Sequence, residues 1–256
     1  HIQTLMPRIA AVNMEPRAAL EEYGLLVLRV RALYNLIFEN RFVSAFLHGT
    51  PGIDAWAMLG KAQYHAREKD PDGRDRYDLV IVDAPATGHG LDLLRVPRVI
   101  LDVAPPGLLR REAERASELF QDPERAGVLL VTLAEEMPST ETVELHGAIK
   151  SELNLPVCGL VGNQTVDTLF SDAERSSLRV LREKVPHDSP LAPLLALSSA
   201  RAEREQLQHA CIARLAAEIP ARQVQLPLML EGDFRRRELE TLSQLLAAGF
   251  SLPSRR

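Results

Sequence analysis

The sequence predicts a doubly wound α/β fold, a mostly parallel sheet with an added helical subdomain. Three observations carry that expectation: short β-branched apolar runs, helical patterns lying between them, and a first third that is helical throughout. The composition agrees, since 46% hydrophobic against 25% charged residues is the balance of a globular chain with a filled core. Disorder, collagen and coiled coil are thereby excluded.

In chain order, an apolar-polar pattern at Ile2, Leu5, Ile9 and Val12 opens the sequence without a helix-start signal in front of it. Glu15-Pro16 fits a helix start, and Leu20, Tyr23, Val27, Val30, Tyr34 and Ile37 follow at steps of three and four, which predicts one long amphipathic helix with Gly24 as its weak point. A second helical block is expected over about 41–67, interrupted at Gly49-Thr-Pro-Gly52 and ended by the turn-rich stretch from Lys69 to Asp75. Strands are then expected at 77–83, 98–103, 127–132, 156–163 and 223–226. Helices are expected at 108–121, 140–153, 172–184, 200–217 and 234–246. Ligands of such a sheet bind at the carboxyl ends of its strands.

Charge and cysteine usage narrow the function classes. A formal net charge of -5 with both signs spread along the chain offers no basic face, so nucleic acid is not expected as a partner. Cys158 and Cys211 form neither a disulfide framework nor a CxxC motif, which fits a reducing cytoplasm. The seven histidines show no HxxH or HExxH spacing, and no G-x-S-x-G elbow occurs, so a caged catalytic metal and an α/β-hydrolase are both disfavoured.

The informative segment is Tyr77-Asp-Leu-Val-Ile-Val-Asp-Ala-Pro-Ala-Thr-Gly-His-Gly-Leu-Asp-Leu-Leu-Arg95. An acid ending a buried strand before a small-residue loop is what a nucleotide hydrolase uses to hold the water shell of a magnesium ion. On spacing alone, a helix-capping or loop aspartate at Asp83 is the commoner reading; His89, in a Gly-His-Gly loop, reads as a sensor of nucleotide state before a general base, with a surface turn residue as the bland alternative.

The whole segment resembles the switch II signature of the ArsA/Get3 family of deviant-Walker ATPases, which are P-loop NTPases of the SIMIBI type. Asp83 to Leu94 matches the bacterial form, departing at Asp92, where the family commonly has Arg. The resemblance implies that Asp83 contacts magnesium through water and that Thr87, Gly88 and His89 respond to the γ-phosphate. Gly127 to Thr142 resembles the family's following strand and loop, with Ala134 where Pro is usual. Leu155 to Gln164 resembles the strand ending in the adenine-reading V-x-N-Q, which implies that Asn163 and Gln164 meet the base. Gln223 to Leu228 matches the late strand and loop, implying that Pro227 and Leu228 close over the adenine. An amide suits base reading because it sets a donor beside an acceptor.

ATP and Mg2+ are the cofactors this resemblance implies. It also implies one ATPase domain over 1–256, with a helical subdomain at 15–70 and an α/β nucleotide-binding core at 76–250. The expected partner is a second copy or a paralogous ATPase, with a membrane-protein partner as a further possibility. No G-x-x-x-x-G-K-[ST] occurs in the sequence, and Gly52 to Ala62 is only a decoy: its spacing is too long and Ala62 replaces the hydroxyl. The family's P-loop precedes the part matched here, so the sequence is expected to be N-terminally incomplete. The competing reading is a degenerate regulatory paralogue that pairs with an active ATPase subunit. A tail-anchored-protein targeting chaperone is a second rival, although the helical third keeps the periodicity of core packing rather than of a Met-rich groove.

Overall fold

The computed structural model describes residues 2–28, 52–230 and 234–250. The chain forms two compact units, His1–Arg125 and Ala126–Arg256.

The first unit opens with an antiparallel hairpin, β1 (Gln3–Met6) and β2 (Ile9–Ala11), whose turn places Arg8 in the left-handed region at φ 71. Ile2, Leu5, Met6 and Ile9 are exposed on it, so the apolar pattern at the start of the chain does not mark a buried face. Helix α1 (Pro16–Leu28) begins on its proline, where the missing N–H costs no helical bond. The expected continuation to Ile37, and the second helical block up to 51, lie outside the described residues.

Gly52, at φ 86, turns the chain into α2 (Ile53–Arg67), a conformation that glycine adopts without a Cβ penalty. Helices α3 (Thr87–Val103) and α4 (Leu108–Gln121) complete the unit. Tyr23 of α1 meets Trp56 of α2 edge to face at 6.0 Å. Val96, Ile100, Ala113 and Ala116 from α3 and α4 close the core around them. The close approach of α1 and α2 depends on Gly60, because a Cβ there would lie 2.5 Å from the Tyr23 ring.

Two strand expectations fail in this unit. Residues 98–103 are the second half of α3: Leu93, Val96, Pro97 and Ile100 are buried at helical spacing, so the apolar run is one helix face and not a pleated strand. Residues 77–83 form no strand and pair with none among the described residues, and Leu79 and Ile81 are 74% and 81% exposed. A parallel strand exists only through ladder bonds to its neighbours. Its apolar composition alone does not supply them.

The second unit is the α/β half, a parallel sheet of order β3-β4-β5 with β3 (Val128–Leu133), β4 (Val157–Thr165) and β5 (Gln223–Pro227). Val131 stands beside Val161, and Val161 beside Val224, so three β-branched side chains share one face. Helix α8 (Arg236–Phe250) covers Val161, Val224 and Leu226 with Leu242, Leu246 and Phe250. Leu130 and Leu160, of opposite parity, are buried on the other face, whereas Leu129 and Val131 of β3 are exposed.

The crossover from β3 to β4 is α5 (Glu136–Ala148), extended by the π-helical turn Ile149–Leu153 and ended by Asn154 at φ 53. That from β4 to β5 is α6 (Asp172–Lys184) followed by α7 (Ala192–Glu218). A capping box fixes the start of α6: the Glu174 N–H donates to Ser171 Oγ, and the Ser171 N–H donates to the Glu174 carboxylate.

Candidate functional site

The Asp83 loop runs from the unpaired segment into the first turn of α3. Asp83, Gly88 and His89 are exposed and Thr87 is half-buried. Thr87 adopts φ 27, a region that a β-branched residue enters at a cost of about 1–3 kcal/mol. Gly90 is required where it stands, because a Cβ would lie 2.5 Å from the Pro85 carbonyl oxygen. Asp92, where the family pattern has Arg, accepts a hydrogen bond from Arg95 one turn on at 3.3 Å.

The start of this segment is tied to α2. Glu68 accepts from His65 Nδ1 at 2.8 Å and from Arg76 Nη1 at 2.5 Å, and the Arg76 N–H returns to the Glu68 carbonyl at 2.9 Å. Burial pushes the Glu68 carboxyl up, yet the hydrogen bonds from His65 and Arg76 outweigh it and hold it below the usual carboxylate range. The His65 ring also meets Tyr77 edge to face at 5.9 Å. The chain leading to Asp83 is thus anchored at its base and open at its tip.

The Gly52–Ala62 stretch provides no phosphate cradle. It is helical from Ile53, Gly60 is packed against Tyr23, and the Lys61 ammonium is buried in an ion pair with Glu22. Hydrogen bonding from Lys61 holds the Glu22 carboxyl below its ordinary range against a smaller opposing effect of burial.

In the second unit, the carboxyl ends of β4 and β5 bring four of the expected residues together. Asn163 lies beside Leu133 in the ladder, Thr165 beside Pro227, and the Leu228 N–H donates to the Thr165 carbonyl at 2.8 Å. Gln164, between them, sits at φ 54, and its N–H donates to Asn163 Oδ1 at 3.0 Å. The Asn163 Nδ2 has no partner among the described residues, so one oxygen lone pair and both amide hydrogens remain for a ligand. Among the described residues, the non-glycine residues at positive φ are Arg8, Thr87, Asn154 and Gln164. Arg8 turns a hairpin and Asn154 ends a helix. Thr87 and Gln164 do neither, and both belong to the segments picked out by sequence.

Asn163 and Gln164 open onto a cleft of about 670 Å3, bounded by Glu135 and the first turn of α5 and by Arg204 and Gln208 of α7. That volume lies within the range of small-molecule sites. The sequence reading missed the inward face of α7, where Arg201, Glu205, Gln208 and His209 all bond the loop after β4. Their spacing of four, three and one is a polar stripe along one helix side, and that was the available signal.

Asp83 is a single exposed carboxylate, and no group of three His, Cys, Asp or Glu side chains among the described residues could hold a metal. This donor set fits magnesium carried by phosphate and reached through water, since that ion keeps much of its hydration shell. It does not fit a protein cage. No helix among the described residues is long and apolar enough to cross a membrane.

Comparison with known proteins finds sequence likeness to ATPases. Residues 4–104 match the family model of the anion-transporting ATPases. The chain is 27% identical over 203 residues to ATPase BagA of Mycobacterium tuberculosis, covering 71% of this chain and 56% of that protein. It is 26% identical over 101 residues to ATPase GET3 of Kluyveromyces lactis, covering 38% of this chain and 29% of that protein. The part of the chain matched by the family model contains the Asp83 segment. The chain is similar in sequence to ATPases of the ArsA/Get3 kind. It spans about half the length of the mycobacterial relative.

Proposed function

We propose that the protein couples Mg-ATP hydrolysis to a conformational change that drives transport, targeting or a partner protein. The observation that carries this reading is the Asp83–Leu94 segment, whose family signature coincides with a strained Thr87 and a required Gly90. This sequence contains no Gly-Lys-Ser/Thr phosphate loop, so its residues are assigned the sensing of the γ-phosphate and the reading of the base. Bound magnesium neutralises charge on the transferring phosphate. Asp83 would order its water shell, Thr87, Gly88 and His89 would register the γ-phosphate, and Asn163, Gln164, Pro227 and Leu228 would enclose the adenine.

The loop is well placed to pass that state onward. It is continuous with α3, whose Val96 and Ile100 lie in the core beside Trp56, so a rotation at Thr87 must be absorbed by packing against α2. Action as a dimer with a second copy or a paralogous subunit, and a cytoplasmic setting, belong to the same proposal. A regulatory subunit without turnover and a chaperone for membrane-protein tails are its rivals. Hydrogen exchange in the intact protein tests the switch. Residues 83–94 should be protected more by a non-hydrolysable Mg-ATP analogue than by Mg-ADP, and equal exchange in the two states would contradict it.

A further inference from the structure

Helix α7 holds the loop after β4 almost residue by residue. Gln208 clamps Val166 from both sides, its Oε1 accepting from the Val166 N–H at 2.7 Å and its Nε2 donating to the Val166 carbonyl at 2.9 Å. Arg201 donates to the Asp167 carbonyl at 2.6 Å. Thr168 Oγ1 and His209 Nε2 lie 3.0 Å apart in a hydrogen bond, and Glu205 accepts from the Leu169 N–H at 3.1 Å. The same Glu205 pairs with Arg201 and Arg175 at 2.9 and 3.3 Å, which fixes the row of side chains to itself. Glu205 is fully buried and Gln208 nearly so.

We propose that Gln208 is a positioning residue for nucleotide binding, holding Gln164 in its left-handed conformation so that the Asn163 amide faces the cleft. This rests on the adenine-reading role of Asn163. A left-handed non-glycine residue persists only where the chain on both sides is fixed. Before Gln164 the chain is fixed by the ladder at Asn163. After it, the chain is fixed by Thr165, whose Oγ1 donates to the Leu226 carbonyl at 3.1 Å, and by the Val166 clamp. Without the clamp, Gln164 relaxes toward ordinary φ and the Asn163 side chain swings with it. Gln208 lines the cleft wall but both of its amide atoms are committed to Val166, so it supports the reader without contacting the base.

The test is Mg-ADP affinity in the full chain by calorimetry, with Asn163→Ala, Gln208→Met and the double variant. Asn163→Ala and Gln208→Met should each weaken binding about tenfold or more, and the double variant should be no worse than about twofold beyond Asn163→Ala, because both changes remove one interaction. Additive losses, or wild-type affinity in Gln208→Met beside weakened Asn163→Ala, overturn the proposal while leaving the adenine reading intact. Unchanged affinity in Asn163→Ala overturns the adenine reading itself.

Gln208→Glu supplies a second arm if Gln208→Met does not fold. A protonated Glu carries the same donor and acceptor pair as Gln. Mg-ADP affinity of Gln208→Glu relative to wild type should therefore recover about tenfold between roughly pH 8 and pH 5.5. A flat ratio contradicts the clamp.

Discussion

Gly90 and Pro85 close the Asp83 loop on itself, since a Cβ at Gly90 would stand 2.5 Å from the Pro85 carbonyl oxygen. Gly88, two residues earlier, has nothing within 4 Å of its Cβ position. The two glycines of one loop thus have different duties. Gly90→Ala forces Pro85 to shift and should cost about 1–3 kcal/mol together with most of the turnover, whereas Gly88→Ala should leave the unfolding midpoint unchanged. Paired thermal melts and phosphate-release assays check this. Equal melting temperatures for the two variants would contradict it.

Lys61 and Glu22 give a prediction opposite in sense for the only stretch that imitates a phosphate loop. Because the Lys61 ammonium is committed to Glu22, Lys61→Met should lower stability by about 1 kcal/mol and leave Mg-ADP affinity unchanged. A tenfold or greater loss of affinity in this variant would mean that Lys61 reaches phosphate after all.

Glu205 predicts a pH dependence of stability. Burial pushes its carboxyl up, but hydrogen bonds from Arg201, the Leu169 N–H, Arg175 and the Phe170 N–H outweigh this and hold it below its ordinary value of 4.5. The unfolded chain therefore takes up the proton first as pH falls. Its stabilisation is fully present above the unfolded value and is lost as pH drops through the folded one. Glu205→Gln should cost about 3 kcal/mol at neutral pH, where two arginines lose their anion, and the gap to wild type should shrink below about pH 4. Denaturant unfolding at several pH values reads it out, and a gap independent of pH would refute the assignment.

The seat of α8 on the sheet depends on two small residues. A Cβ on Gly249 would lie 2.3 Å from a Val224 methyl, and one on Gly159 would lie 2.3 Å from the Phe250 ring. Gly249→Ala should destabilise by about 1–3 kcal/mol despite the better helix propensity of alanine. An unchanged or raised denaturation midpoint would show that α8 has room to move.

The second unit was legible in the sequence because its signals are local. Val128–Leu133 and Val157–Thr165 are β-branched runs between turn residues, and Ser171 with Glu174 announces α6. The first unit was harder. The run at 98–103 satisfies either periodicity at that length, and burial of Val96 and Ile100 against α4 decides for the helix. Tyr77–Asp83 has strand composition, but strand pairing is a property of neighbours and none lies beside it among the described residues. At the candidate site, Asp83, Asn163 and Pro227 could be picked out by motif. The clamp from Gln208 could not, because a buried glutamine acquires meaning only from the Val166 backbone, forty-two positions away, that it bonds.

The most direct measurement is the steady-state release of phosphate from Mg-ATP by the full-length protein and its Asp83→Ala variant, with Mg-ADP affinity measured on the same samples. Turnover should fall at least about a hundredfold in Asp83→Ala while affinity stays within a few-fold, as expected for a residue that acts on the reacting phosphate and not on the base. Turnover unchanged by the substitution, or absent from the wild-type protein, would contradict the account.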